Sequence, residues 1–244
     1  MVLKWLENMN ILLTNDDGYD SIGIKILKDC LSKYGHVYVV APSTSMSGKS
    51  SSITLDKPLY LYKDKEDTYI CDGTPVDCVR LGVGVLKVNF DLVVSGCNNG
   101  LNISFDTLYS GTIGATMQAM IENIPAVAVS TPNNNFDIVK KYFDAVYLFI
   151  ESHKLISNEY VLNVNFPYGE TIDDIKLSKL HFRNNEHWFV SKDDGYIGKR
   201  KLEDNITDTD TDCYMVDHHI VSITPLARSL FNQDIYESLL EKMK

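Results

Sequence analysis

Two neighbouring carboxylates, Asp16 and Asp17, follow the short apolar run Met9-Asn10-Ile11-Leu12-Leu13-Thr14 and come just before Gly18. Such a run, bounded by turn residues, reads as a buried strand. Its carboxyl end is where open α/β sheets bind ligands. Like charges crowded together oppose each other's ionisation, and a bound divalent cation, as the largest local charge, reverses that penalty. Gly18 lets the chain turn, and Ser21 to Lys33 reads as the returning helix. The spacing therefore predicts a metal site on a strand-to-helix turn.

Three further loops carry groups that suit such an ion or a phosphate. Residues Ser43 to Ser50 supply hydroxyls, Ser47 among them, and Gly96-Cys97-Asn98-Asn99-Gly100 supplies amide oxygens. Oxygen donors alone favour Mg²⁺, Mn²⁺ or Ca²⁺ over zinc. In Tyr109-Ser110-Gly111-Thr112, two hydroxyls and a glycine open a helix, where unpaired N–H groups cradle anions. A cation and an anion cradle at one crevice describe phosphoryl chemistry. Each part also has a plain structural reading: Asp-Asp-Gly as a turn, Ser110 as a helix N-cap, Asn98 and Asn99 as left-handed turn residues. Their joint occurrence at successive strand ends is what points to a site.

Other chemistries lack their residues. Ser47-Gly48-Lys49-Ser50 ends like a phosphate-binding P-loop, but Ser43 stands where that motif needs glycine, and no G-x-G-x-x-G follows the first strand. The five cysteines are scattered without a C-x-x-C pair, which reads as reduced, mostly buried thiols. His218 and His219 adjoin the last strand, where neighbours face opposite ways, so they are expected to be structural. A net charge of −10 argues against nucleic-acid or anionic-membrane partners. No run approaches the roughly 20 apolar residues of a membrane span. Met1 to Asn10 lacks a signal peptide's apolar centre, so the expectation is a cytoplasmic protein.

The elements that must position these groups alternate. Strands are expected at His36–Ala41, ended by Pro42, and at Asp91–Ser95, Ala126–Ser130 and Tyr160–Phe166. Helices are expected from Gly73-Thr74-Pro75 onward, over Thr112–Asn123 and over Asp137–Ser152. Ser52–Leu55 and Leu59–Tyr62 read as short strands around Pro58, a candidate hairpin, and Gly96 to Asp106 as a loop. This alternation predicts a mostly parallel sheet covered on both faces. The expected organisation is an α/β core over 1–170 and a C-terminal region over 171–244, within one continuous domain. The latter holds a protruding arm or hairpin within 175–215, a strand Ile220–Ile223 ended before Pro225, and a helix Ser229–Met243.

Together the motifs resemble the SurE family of stationary-phase survival proteins, which are metal-dependent 5′/3′-nucleotidases. The resemblance rests on Ile11 to Gly18 with Gly23-Ile24; Ala41-Pro42 with Ser47-Gly48 and Ile53-Thr54; Gly73-Thr74-Pro75-Val76-Asp77-Cys78-Val79; and Asp91 to Asn98 with Gly100, Asn102, Asp106 and Tyr109 to Thr112. Leu162 to Pro167 and Val221 to Leu226 complete it. It implies that the 1–170 region is a Rossmann-like catalytic core of three α/β/α layers, with a C-terminal arm exchanged in a homodimer or homotetramer, and hydrolysis of nucleoside monophosphates. One divalent ion, Mg²⁺ or Mn²⁺, would be held by Asp16, Asp17, Ser47 and Asn98. Asn15, Asn102, Ser110, Gly111 and Thr112 would line the phosphate pocket; one of the two aspartates, Asp17 by preference, would serve as catalytic base. The alternatives are an exopolyphosphatase and a nucleotide- or metal-binding protein without hydrolysis. The chain departs from the family pattern at Ser43 (usually Asp), Ser104 (usually Gly), Met215 (usually Ala) and His218 (usually Gly).

Overall fold

In the computed structural model, residues 9–182, 186–201, 206–227 and 231–243 are described. The opening strand β1 (Met9–Thr14) has Ile11, Leu12 and Leu13 wholly buried, because helices cover both faces of the sheet it lies in. Helix α1 (Ile22–Leu31) starts at Ser21, whose hydroxyl accepts from Ile24 N. It presses Ile24, Leu27 and Leu31 onto one face, as does α5 (Phe136–Ser152) with Ile138, Val139 and Phe143. The other face takes α2 (Pro75–Val85) through Cys78 and Val79, and α4 (Gly111–Ile121) through Ile113, Ala115 and Ala119. The result is a three-layer α/β/α fold.

The remaining strands are β2 (Gly35–Pro42), β3 (Leu61–Lys65), β4 (Thr68–Cys71), β5 (Leu92–Asn99), β6 (Ala126–Thr131), β7 (Tyr160–Asn165), β8 (Asp174–Leu177) and β11 (Ile220–Ala227). With β1 they form one nine-stranded sheet in the order β3-β4-β2-β1-β5-β6-β7-β11-β8. The central strands run parallel, while β11 is antiparallel to β7 and β3 to β4. From β1 the chain first adds β2 on one side and later β5 on the other. The crevice beyond the ends of β1 and β5 is thus the topological switch point, the usual ligand site of an open α/β sheet.

Several sequence expectations shift. Ser52–Leu55 is not a strand: the Thr54 N–H and hydroxyl bind the Asp77 carboxylate, so this segment is pinned to the start of α2. The hairpin is β3–β4 and turns at Asp67 (φ 53°), not at Pro58. Strand β5 outlasts Ser95: the register slips by a bulge, then Asn98 and Asn99 pair with Ser130 and Thr131 of β6. The expected Gly96–Asp106 loop therefore begins as strand, and closes on a short helix α3 (Asp106–Tyr109). Pro225 does not end the last strand. It lies beyond the stretch Ile220–Ile223 that β8 pairs, where the missing N–H leaves no ladder bond unmade.

Beyond β8, β9 (Glu186–Lys192) and β10 (Gly195–Lys201) form a separate antiparallel hairpin with exposed residues throughout. Helix α6 (Asp212–Asp217) precedes β11, and α7 (Gln233–Lys242) follows it with no residue buried. Residues 183–185 and 202–205, within the arm expected over 175–215, and 228–230, where the last helix was expected to begin, lie outside the described residues, as do 1–8 and 244. All five cysteines are buried. An apolar cavity of ≈ 130 Å³, lined by Leu31, Val129, Phe143 and Phe166 among others, lies between the sheet and helices α1 and α5. None of the candidate site residues lines it.

Candidate active site

The β1–α1 turn is built around Asn15. Its side chain, fully buried, donates from Nδ2 to Gly18 O (3.0 Å) and Ser21 Oγ (2.8 Å), and its Oδ1 accepts from Gly18 N (3.2 Å). Gly18 adopts φ 105°, a conformation that L side chains rarely reach. With Asn15 committed to shaping the turn, Asp16 and Asp17 are displayed at its crest.

The two aspartates then part company. Asp16 is only 4% exposed, and its Oδ1 accepts from Thr112 Oγ1 at 2.7 Å. Asp17 is half-buried and its Oδ2 accepts from Asn99 N at 3.0 Å. The first acid is therefore turned to the start of α4 and the second to the end of β5. Burial pushes both carboxyls above their ordinary value; for Asp16 the Thr112 hydroxyl opposes this and the Asp17 charge adds to it. Among the described residues no lysine, arginine or histidine lies within 4.0 Å of either acid. Burial of an anion without a cationic partner is costly, so the pair is suited to receive a cation.

The neighbouring oxygens suit a hard ion. Asn98 donates from Nδ2 to Gly100 O (2.7 Å), which fixes the amide with its acceptor oxygen uncommitted among the described residues. The 43–50 loop is drawn over the turn because Met46 N donates to Asp16 O (2.7 Å). Ser47 is exposed on that loop and its hydroxyl shares a 3.1 Å hydrogen bond with Ser45. Among the described residues no group of three or more His, Cys, Asp or Glu side chains could hold a metal. An ion here would lean on two carboxylates and neutral oxygens, the donor set of Mg²⁺ or Mn²⁺ rather than zinc.

On the far side of the crevice, Ser110 caps α4: its Oγ accepts from Ile113 N and its carbonyl from Gly114 N. The amides of Gly111 and Thr112 precede the first intrahelical bonds and are open to an anion. Gly111 has a steric reason to lack a side chain, since a Cβ would come within 2.9 Å of Asp16 Cβ and 3.1 Å of Asp16 Oδ2. The cradle and Asp16 are thus in van der Waals contact. Asn102 is placed differently. Its Nδ2 donates to Ser130 Oγ, its N–H to Asn165 Oδ1, and its carbonyl accepts from Asn163 and Asn165, so it pins the 100–104 segment to β6 and β7.

The Asn99 amide as the partner of Asp17 is not legible in the sequence, because a backbone donor leaves no mark on residue type. Nor is the role of Ser50, which ties the 43–52 loop to α3 by donating from N to Tyr109 O (3.0 Å) and from Oγ to Leu108 O (2.7 Å). His218 and His219 are apart from the crevice chemistry: His218 stacks on Tyr214 at 3.8 Å, and His219 Nδ1 lies 3.0 Å from Tyr168 O.

Comparison with known proteins agrees with this architecture. The family model "Survival protein SurE" matches residues 11–187. The chain is 38% identical over 245 residues to 5′-nucleotidase SurE of Clostridium botulinum (strain Loch Maree / Type A3), covering 94% of this chain and 97% of that one. It is 35% identical over 246 residues to 5′/3′-nucleotidase SurE of Wigglesworthia glossinidia brevipalpis, covering 95% and 96%. The crystal structure of the SurE protein from Aquifex aeolicus superimposes with a TM-score of 0.85 at 33% identity, over 96% of this chain and 100% of that one. With its first strand, acid pair and helix cradle in one crevice, this chain belongs to the SurE family.

Proposed function

We propose that this chain is a 5′/3′-nucleotidase, a divalent-metal-dependent phosphomonoesterase that splits nucleoside monophosphates into nucleoside and phosphate. The observation that carries the reading is the contact between buried Asp16, one of the acid pair, and the start of α4, which brings a cation-seeking group against an anion-seeking one. The names of the Clostridium and Wigglesworthia relatives support it.

Asp16, Asp17, Ser47 and Asn98 would hold one Mg²⁺ or Mn²⁺, which supplies charge to polarise a phosphoryl oxygen and to ease deprotonation of water. The Gly111 and Thr112 amides and the Ser110 hydroxyl hold phosphate oxygens. Thr112 also orients Asp16 through its hydroxyl. Asp17 accepts the proton of the attacking water; the Asn99 amide takes one lone pair of its Oδ2, which leaves carboxylate lone pairs both for the ion and for that transfer. Asn15 and Asn102 act from behind, by shaping the turn and pinning the segment that leads to α3. No helix among the described residues is long and apolar enough to cross a membrane, and we place the enzyme in the cytoplasm. The exposed β9–β10 hairpin, with Phe189 73% and Tyr196 78% exposed, is the surface we assign to homodimer or homotetramer contact within the 171–244 region.

The test is release of inorganic phosphate from AMP and 3′-AMP with Mn²⁺ or Mg²⁺, repeated in EDTA. Metal-dependent release supports the assignment, and binding without release would leave only a nucleotide-binding protein. A specificity constant on polyphosphate well above that on AMP would favour an exopolyphosphatase instead.

A further inference from the structure

The segment between Asn102 and Ser110 is held mainly from outside the Rossmann-like core. Ser104 adopts φ 54°, and its N–H donates to Asp212 Oδ2 at 2.8 Å. Asp212 is fully buried at the start of α6, and its Oδ1 also accepts from His181 N (2.9 Å). Phe105 packs on Phe182, with ring centroids 5.2 Å apart. Ile103 is buried against Cys213 and Val216 of α6. The next residue, Asp106, opens α3 and receives a two-pronged contact from Arg200 of β10: Nη2 donates to Oδ2 at 3.0 Å while Nη1 meets Oδ1.

We propose that Arg200 is a positioning residue for the phosphate cradle, acting through Asp106 and helix α3. The inference rests on the nucleotidase reading and extends it to a residue outside the crevice. The chain of contacts is short. Arg200 fixes the first residue of a helix only four residues long. The last two carbonyls of that helix accept from Ser50, which holds the 43–52 loop carrying Ser47. The following residue is Ser110, the cap of α4. A helix of one turn has little internal cohesion, so its direction depends on what holds its ends. A planar guanidinium that engages both carboxylate oxygens fixes orientation as well as distance, which a lysine cannot do. The β10 strand thereby sets how the loop of Ser47 and the Ser110 cap of α4 sit against each other at the crevice.

The test compares wild type, Arg200→Ala, Arg200→Lys, Asp106→Arg and the charge-exchanged double variant Arg200→Asp/Asp106→Arg. The readouts are KM, kcat, the melting temperature and calorimetric binding of inorganic phosphate with Mn²⁺ present. Arg200→Ala is expected to weaken phosphate binding and raise KM in parallel by roughly tenfold, the scale of a small misplacement of binding groups, with kcat less affected and an unchanged melting temperature. Arg200→Lys should recover only part of the loss, and the exchanged pair should recover most of it. Calorimetry needs no turnover, so Arg200 is tested even if the chain hydrolyses no nucleotide. Unchanged phosphate affinity in Arg200→Ala, or a loss that tracks a fall in melting temperature and is not restored by charge exchange, would overturn the proposal.

Discussion

Thr112 Oγ1 donates a 2.7 Å hydrogen bond to Asp16 Oδ1 and so joins the end of β1 to the first turn of α4 across 96 residues of sequence. A hydroxyl that donates to a buried carboxylate stabilises its charged form, so the anion cradle and the acid pair are electrostatically linked. This bond is the natural place to perturb one half of the site from the other.

Thr112→Val keeps the shape but removes the donor. A hydrogen bond to a charged group contributes about 1.5–3 kcal/mol, roughly a 10- to 100-fold effect. The expected outcome is a loss of that size in kcat/KM for AMP, while Thr112→Ser retains most of the activity. Equal activity of the valine and serine variants would show that the bond is irrelevant to turnover.

Asp17→Asn removes the proposed base and one anionic donor while preserving volume and the Asn99 contact. Phosphate release from AMP should drop by about 10²- to 10⁴-fold, with circular dichroism unchanged. Substantial release from this variant, measured with Mn²⁺ in excess, would rule out the proposed role of Asp17.

Gly111→Ala places a methyl group 2.9 Å from Asp16 Cβ and 3.1 Å from Pro75 Cγ. Asp16 or the helix start must give way, and displacements of about 1 Å at a reacting centre cost on the order of 10²-fold in rate. Activity should fall far more than melting temperature. Gly84→Ala, whose added methyl meets nothing within 4 Å, serves as the control and should stay fully active.

Acid–base linkage gives a signed prediction for the metal-free protein. Burial raises the folded-state pKa of Asp17 above its ordinary 3.8. A group shifted in that direction favours folding fully below the unfolded value, and that contribution is lost as pH rises through the folded value. In EDTA, Asp17→Asn should therefore melt close to wild type in acid and increasingly above it as pH approaches neutrality. Added Mn²⁺ should raise the wild-type melting temperature and reverse the order. A difference that stays flat with pH would contradict the burial argument.

Asp77 behaves in the opposite sense. Burial pushes its carboxyl up, but hydrogen bonds from Thr54 and Thr74 outweigh this and hold it below 3.8. Its stabilisation is present above the unfolded value and is lost as pH falls through the lower folded one. Asp77→Ala should lower stability at neutral pH by about 1–3 kcal/mol, read from urea unfolding, and the gap should close in strong acid.

Much of this was legible in the chain itself, wherever a local rule sufficed. The run ending in Thr14 is buried on both faces and could only be a central strand. Thr74-Pro75-Val76-Asp77 spells a helix start, with Thr74 and Asp77 closing a reciprocal cap. Ser110 at a helix entry and two acids at a strand end were readable for the same reason: capping and turn chemistry act within a few residues. Local sequence also misled. Pro58 attracted the hairpin that is formed at Asp67, and Pro225 suggested a strand end where an open edge tolerates proline. Ser104 and His219 adopt φ 54° and 57°, conformations that glycine takes at no steric cost. His218 was the position expected to replace a glycine, yet the left-handed residue is its neighbour.

The sequence alone settled most of the central strands and helices and which chemical groups stand at their ends, because strand burial, helix caps and turns depend on near neighbours. Tertiary structure decided which way those groups face. Asn15 turns inward to hold its own loop, Asp16 meets Thr112, Asp17 meets the Asn99 amide across 82 residues, and Arg200 reaches Asp106 across 94. Contacts of that range follow from how helices and strands pack around the switch point, and no spacing along the chain encodes them.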